Sequence, residues 1–263
     1  MHYLAALKMK RRDVTRDILM SARHDVKLIR DLAQEGHSFL ESRAKMPTDV
    51  PFSAEEKEQL RAVEALLCTA AEGKGKKSTT HVSDKVAALV LHMTGNIKQR
   101  TFLAEMTLGY LVSRLEAFLK DCIEQYLLED VRRLRSGAYL TYEQALSYPS
   151  MSALKRYLAN LEASKLGGGN IDEVAQALEK RFAVRFSEFE KWEEVREVVY
   201  RRHIFVHNKG EIDQVYRLKT GYKGNRIILS IDGKYLSAAC SSILEFFDFV
   251  NTKLIKSDRK NTA

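Results

Sequence analysis

The sequence contains few of the residues that interrupt helices or cross-link a chain. Only three of its 263 residues are proline, and all three lie before position 150, so long stretches carry no obligatory helix breaker. Its three cysteines, Cys68, Cys122 and Cys240, stand singly within apolar helical patterns and show no CxxC spacing. An odd number of widely spaced thiols indicates neither a disulfide framework nor a structural zinc site. We therefore expect an all-α fold with reduced, buried cysteines.

Long apolar runs are also missing. The longest, such as AALVL and FFDFV, fall far short of the roughly 20 residues that a membrane-spanning helix needs. The first residues, MHYLAALKMKRR, lack a signal-peptide cleavage pattern. These absences predict a cytoplasmic protein without membrane attachment. With 45% hydrophobic and 30% charged residues, the chain can bury a real core and is neither disordered nor fibrous.

Negative charge is in the minority. The chain carries 43 Lys and Arg against 35 Asp and Glu, a net charge of +8, and the excess is spread over short basic clusters. A basic surface favours approach to phosphate-bearing partners. Clusters of this length are nevertheless more often solvated faces and tails, so charge alone does not identify a nucleic-acid-binding protein.

Hydrophobic periodicity predicts a helical hairpin at the N-terminus. Apolar residues at three-and-four spacing predict one helix over about 12–43, and Ser53 and Glu56 have the spacing of a capping box ahead of a second helix that ends near residue 71. The segment EGKGKKSTT, residues 72–80, has no apolar member and predicts a flexible connection. We therefore divide the chain into an N-terminal helical extension with a basic linker, residues 1–80, and a helical domain, residues 81–263.

The second part of the chain is also predicted to be helical. The expected helices cover about 81–134, 141–147, 150–163, 170–181, 186–207 and 236–254. The longest of them has a core face made of Leu108, Val112, Leu115, Leu119, Cys122 and Tyr126. In the last helix the residues spaced to be buried are Ala239, Ile243, Phe246, Phe247 and Val250. β-Branched residues around GYKGN predict a small β-hairpin, or an irregular excursion, before the last helix. The glycine run in KLGGGN matches no phosphate-binding motif and is expected to be a flexible loop.

Arg202 occupies an unusual position on the helix that ends in RRHIFVHNKGEID. The apolar stripe of that helix comprises Trp192, Val195, Val199 and Val206. Arg202 follows Val199 by three residues and precedes Val206 by four, which places it on the apolar side. A guanidinium there needs carboxylate partners, a subunit interface or a bound anion. Arg201, four residues after Glu197, is expected to form an ordinary surface ion pair.

His207 falls in the last turn of the same helix. On a straight helix it lies about 140° around the axis from Arg202, so the two would not touch, but Asn208 and Gly210 tolerate the left-handed conformation that ends helices and loosens the path. A permanent cation and a proton carrier are what RNA cleavage without a metal requires. Histidine takes the proton from the ribose 2′-hydroxyl or gives one to the leaving 5′-oxygen, and arginine stabilises the charge at phosphorus.

These residues resemble a known motif. The run Arg202-His203-Ile204-Phe205-Val206-His207 resembles the Rx4–6H motif of the HEPN superfamily, in which Asn, Asp or His usually follows the arginine, and His203 fits that position. SRLEAFLKDCIEQYL resembles the long early helix of HEPN domains. VHNKGEIDQVY, followed by a loop and an apolar last helix, is similar to the RiboL-PSP-like members. The resemblance extends over about residues 81–255.

The resemblance implies a helical bundle that forms a homodimer, with the motifs of two subunits facing each other across a positively charged cleft. It implies a metal-independent endoribonuclease of a toxin, abortive-infection, antiviral-defence or RNA-processing type, which needs no cofactor and leaves 2′,3′-cyclic phosphate ends. The partners would be RNA and, in such systems, an antitoxin or regulatory protein. Arg202 would bind the scissile phosphate, His207 would be the acid or base and His203 would fill the supporting polar position. Asn208 could orient the site or cap the helix, and Glu116 of SRLEAF is the expected partner of Arg202.

Other interpretations remain open at this point. Arg202 could form a buried structural ion pair, and His207 could contact the last helix carbonyls. His203 and His207, four residues apart, could hold a metal, although the HExxH glutamate and a third ligand are missing. The alternative function is a catalytically inactive HEPN-like dimer that binds RNA, a nucleotide or a protein partner, since a fold does not ensure chemistry.

Overall fold

The computed structural model describes residues 2–44, 52–71, 82–134 and 139–260, and over these ranges the protein is all-α, as predicted. The α-helices are α1 (His2–Ala44), α2 (Ala54–Ala71), α3 (Asp84–Glu129), α4 (Tyr142–Leu146), α5 (Met151–Gly167), α6 (Ile171–Phe182), α7 (Trp192–Asn208), α8 (Gln214–Thr220) and α9 (Gly233–Lys260). Short 3₁₀ helices cover Val131–Arg133 and Phe186–Glu188. The predicted linker at 72–80 lies outside the described residues.

Local signals in the sequence determine several helix ends. The predicted capping box precedes α2: the Ser53 amide donates to Glu56 at 2.8 Å, and the Glu56 amide donates to the Ser53 hydroxyl at 3.1 Å. Asn170 and Glu173 form the same arrangement at the start of α6. These reciprocal bonds satisfy amides that have no partner inside the helix. The caps therefore determine where α2 and α6 begin.

The periodic faces of α3 and α9 build one hydrophobic core. All six predicted core residues of α3 are buried, and so are the predicted residues of α9, Ala239, Ile243, Phe246, Phe247 and Val250. Phe118 of α3 stacks on Phe247 of α9 with ring centroids 4.0 Å apart. Cys122 and Cys240 are buried free thiols, as expected, and burial raises the pKa of Cys240 to about 11. The side chain of Cys68 lies outside the described residues.

The chain forms two compact units. One comprises residues 1–33 and 104–263 and contains the core just described. The other comprises residues 34–103, in which Arg100 pairs with Glu41 at 2.8 Å. These units divide the chain differently from the boundary predicted near residue 80, which stays a prediction.

One prediction about the region around α7 is wrong. The helix expected from residue 186 begins at Trp192, because the preceding segment forms a 3₁₀ turn. Of the two alternatives for the segment before the last helix, the β-hairpin is absent from the described residues, which contain α8, an irregular stretch over 221–232 and an isolated antiparallel bridge between Glu211 and Ile228. The Asp213 side chain accepts a hydrogen bond from the Tyr216 amide at 2.7 Å and caps α8, so a helix start outweighs the β-branched residues that follow.

Candidate functional site

Helix α7 separates a buried side from a surface side. The buried residues are Trp192, Val195, Val198, Tyr200 and Ile204. The expectation that Val206 continues the apolar stripe is wrong: Val206 is 61% exposed, and Ile204 occupies the core in the last turns instead. Arg202 and His203 therefore lie at the boundary of the core and on the surface, not within an apolar stripe. A cation at this border keeps contact with solvent at modest cost.

Arg202 contacts the carboxylate expected from the sequence. Its Nη2 atom lies 3.1 Å from Oε1 and 3.3 Å from Oε2 of Glu116 on α3. The side chains are 25% and 48% exposed, so the pair is not buried inside the subunit. A single guanidinium nitrogen makes both contacts, and the parallel fork that arginine uses to hold a carboxylate tightly is not formed. An incoming anion can therefore reach the guanidinium without unfolding.

The two histidines of the motif lie together on the exposed side of α7. The rings of His203 and His207 are 4.5 Å apart between centroids, with 47° between their planes. Both residues are exposed, and within the described part of the chain neither ring forms a hydrogen bond. An exposed imidazole without a fixed partner can exchange a proton with a bound molecule.

The end of α7 differs in detail from the expectation. Asn208 is the last helical residue, and Lys209, not Asn208, adopts the left-handed conformation with φ 52°. Gly210 follows with φ 82°, as its tolerance predicts. The Asn208 side chain donates to Asp213 at 2.8 Å, which connects the end of α7 to the cap of α8. Asn208 therefore helps to position the carboxylate that caps α8.

A groove of about 440 Å³, here called the Arg202 groove, opens beside this face of α7. Its walls come from α3, the loop 167–170, α6, α7 and α8. Its charged or titratable lining residues are Arg202, His203, Lys219, Glu116 and Tyr200, and His207 lies outside the lining, against His203. The groove brings together residues separated by up to about a hundred positions in the chain. A volume of this size is within the usual range for small-ligand sites, about 300–1,000 Å³.

Asp172, next to the Arg202 groove, joins three helices. Its carboxylate accepts hydrogen bonds from Arg196 at 2.8 Å, Tyr200 at 2.8 Å and Lys219 at 2.9 Å. Burial opposes its ionisation, but the bonds from Arg196, Lys219 and Tyr200 outweigh burial and lower the pKa of Asp172 to about 2. Burial and the bond to Asp172 raise the pKa of Tyr200 to about 12. The network therefore fixes Tyr200 and Lys219 where they line the groove.

Arg201 is not the ordinary surface ion pair that was expected. It does donate to Glu197 at 2.6 Å, but its side chain is only 15% exposed, less than that of Arg202. Its guanidinium lies 3.9 Å from the ring centre of Tyr235, and both Tyr235 and Tyr216 donate to Glu197. The two tyrosines belong to α8 and α9, so tertiary packing encloses Arg201. The i, i+4 spacing to Glu197 alone had suggested an exposed pair.

No motif in the sequence marks Tyr200, Lys219 or the glycines at 167–169 as site residues. Lys219 lies in the segment for which a hairpin or an irregular excursion was expected. No strand was predicted before the glycines, so they did not match a phosphate-binding loop. A helix predicted at α8, starting from the Asp213 cap, would have placed Lys219 one turn after Val215 on the same face. Their convergence on one groove is a property of the folded chain.

Comparison of the chain with protein-family models, curated proteins and solved structures finds no match. Among the described residues, no group of three or more His, Cys, Asp or Glu side chains is placed to hold a metal ion. No α-helix in the described ranges is long and apolar enough to cross a membrane.

Proposed function

We propose that the protein is a metal-independent endoribonuclease of the HEPN type, which cleaves RNA at a site completed by a second copy of the chain. One observation carries the proposal. Arg202, partly exposed, lies on the same groove as His203, and the ring of His203 contacts that of His207 on the open face of α7. A fixed cation and exposed imidazoles on adjoining turns match the Rx4–6H resemblance in position as well as in sequence.

The proposed reaction is transesterification within RNA. An imidazole removes the proton of the 2′-hydroxyl, whose oxygen attacks the adjacent phosphorus. The bond from phosphorus to the 5′-oxygen breaks, and an imidazolium gives that oxygen a proton. The products are a 2′,3′-cyclic phosphate and a 5′-hydroxyl. Arg202 stabilises the additional charge on the phosphoryl oxygens, and the two copies of His207 in a dimer would supply the base and the acid.

The ion pair of Arg202 is compatible with this role. Glu116 is 48% exposed and contacts a single guanidinium nitrogen, so its attraction is weakened by water. In the transition state the phosphoryl oxygens carry more negative charge than the single charge of a carboxylate, and they can bind the N–H groups of the guanidinium that Glu116 leaves free. Glu116 would then hold the guanidinium in position while the phosphate binds.

The test is cleavage of single-stranded RNA by purified protein in EDTA. Arg202→Ala and His207→Ala should each lower the rate by at least about 100-fold, because each removes a group that acts in the transition state. Arg156→Ala on α5 and His24→Ala on α1, both exposed, are the matched controls and should leave the rate unchanged. A 2′-deoxy substitution at the cut position should block cleavage, and the products should carry cyclic phosphate. Undiminished cutting by both site variants would overturn the assignment.

The ion pair with Glu116, which offsets the charge of Arg202, favours a second candidate function. In that case the protein is a catalytically inactive HEPN-like module that binds RNA, a nucleotide or a protein partner. Binding of RNA that is weakened by Arg202→Ala, in the absence of any cleavage product, would identify this function.

A further inference from the structure

We propose that the Arg202 groove binds the base of one unpaired nucleotide, next to the phosphate that Arg202 contacts. This inference rests on the proposed RNA-directed function and adds to it a subsite and a substrate class, single-stranded RNA. The Rx4–6H motif does not include this subsite, since most of the groove comes from α3, α6, α8 and the loop 167–170.

The floor of the groove suits the flat face of a base. Leu119, Ile171, Val174 and Val199 supply apolar side chains there. The first three belong to the hydrophobic core and are at most 5% exposed, so packing holds them in place before any ligand arrives. A preformed apolar surface in a concavity of about 440 Å³ is what small-molecule sites commonly provide. Burying a base on it gains from the removal of apolar surface from water.

The rim of the groove suits the phosphate of the same nucleotide. Arg202 and Lys219 are the basic side chains there, and Glu116 is the carboxylate that lines the groove with them. Lys219 is already bound to Asp172 at 2.9 Å, so Arg202 is the cation with more freedom to bind a phosphate. His203, which also lines the groove, lies between Arg202 and His207 in sequence and contacts the His207 ring. A base on the floor would therefore place its phosphate beside the motif.

The glycine loop does not compete for that phosphate. The amides of Asp172 and Glu173, at the start of α6, both donate to the Asn170 side chain at 3.1 Å. The carboxylate of Glu173 returns to the Asn170 amide at 3.2 Å, which places a negative charge at this helix end. An anion would meet occupied donors and a like charge there. The loop is therefore a wall of the base site, and the phosphate binds on the α7 side.

A base can enter this groove only if it is free of its stack and its pairing partner. Base-paired RNA turns its bases inward, and proteins read unpaired nucleotides by contact with their exposed faces. In the groove, the Tyr200 hydroxyl and the Asn170 amide group already have partners, Asp172 and Glu173. The groove therefore recognises a base by shape and apolar contact, and tolerates different bases.

The test compares ligands with and without a base. A labelled, uncleavable 2′-O-methyl oligonucleotide is bound to the protein. Uridine or adenosine 3′-monophosphate is then added to displace it, and the concentration needed is compared with that of ribose 5-phosphate. The nucleotides should compete at about tenfold lower concentration, because burial of the base removes its apolar faces from water. Val215→Trp, which fills the groove from a residue 55% exposed at its edge, should remove that advantage. Leu218→Trp, on the same helix but outside the groove and 77% exposed, should keep it.

The outcomes separate this inference from the proposed function. The base site is overturned if the nucleotides and ribose 5-phosphate compete equally. It is also overturned if the nucleotides compete better than ribose 5-phosphate in a Val215→Trp variant that is folded and has an unchanged mass in solution. In both cases, RNA cleavage by the wild type still supports the ribonuclease. If Val215→Trp does not fold, Val215→Glu is tested instead and should weaken the binding of the nucleotides. Absence of both oligonucleotide binding and cleavage overturns the base site and the proposed function together.

Discussion

Arg201 and Arg202 are adjacent arginines with different structural roles. Arg201 is enclosed by Glu197, Tyr216 and Tyr235 and holds α8 and α9 against α7. Arg202 points to a groove and shares a partly exposed carboxylate. The expected position of Arg202 on an apolar stripe holds only in part because Val206 is exposed, and the role of Arg202 as a site residue stays a prediction.

Asp172 gives a prediction about pH. Its folded-state pKa of about 2 lies below the ordinary 3.8, so the stability it contributes is complete above about pH 4 and is lost as the pH falls towards 2. The shift corresponds to about 2 kcal/mol. Asp172→Asn should lower the free energy of unfolding by roughly that amount at pH 7 and flatten its pH dependence between 4 and 2. Urea unfolding across this pH range measures both.

Asp17→Asn is the control for that experiment, since Asp17 is exposed on α1. It should change neither the stability at pH 7 nor the slope at low pH. A slope in Asp172→Asn identical to that of the wild type would show that another carboxylate is responsible.

At the level of the helices, those with strict periodicity were predicted well. The faces of α3 and α9 were identified residue by residue, because a long helix repeats its apolar spacing often enough to exclude a strand. Helix α8 was not predicted, since seven residues contain too few repeats to show a period. The start of α7 was placed six residues early because an aromatic 3₁₀ turn carries the same apolar signal.

The connection between α7 and α8 gives a prediction about glycine. Gly210 has φ 82°, and an added Cβ would lie 2.9 Å from Cε1 of Phe205. Gly221, which ends α8, has φ 69° but no heavy atom within 4 Å of such a Cβ. Gly221→Ala should therefore cost about 1 kcal/mol from backbone strain alone, and Gly210→Ala should cost more because Phe205 must also move.

Chemical denaturation of the two variants against the wild type measures this difference. The ribonuclease assay should respond to Gly210→Ala as well, because the displaced segment follows His207 directly. Equal destabilisation by the two substitutions would mean that Phe205 adapts without cost.

For the whole molecule, the proposal requires two chains. The mass in solution should be twice the 30.1 kDa of one chain, and the cleavage rate should fall more steeply than protein concentration on dilution below the dimer dissociation constant. Sedimentation equilibrium and a dilution series of the RNA assay measure these two quantities. A monomer that cleaves RNA at a rate proportional to its concentration would contradict the composite site and leave the chemistry of Arg202 and His207 to a single chain.

The sequence by itself determined the helical architecture, the core faces of the long helices and the motif on the last turns of α7, because periodicity, capping and residue type are local properties. Even the pairing of Arg202 with Glu116 was anticipated, but only through the family resemblance and not from spacing. Tertiary structure decided what surrounds the motif. It brought Lys219 to Asp172, 47 residues away, placed the glycine loop and α7 around one groove, and enclosed Arg201 while leaving Arg202 partly exposed. These contacts depend on how α6, α7 and α8 pack together, which no local pattern encodes.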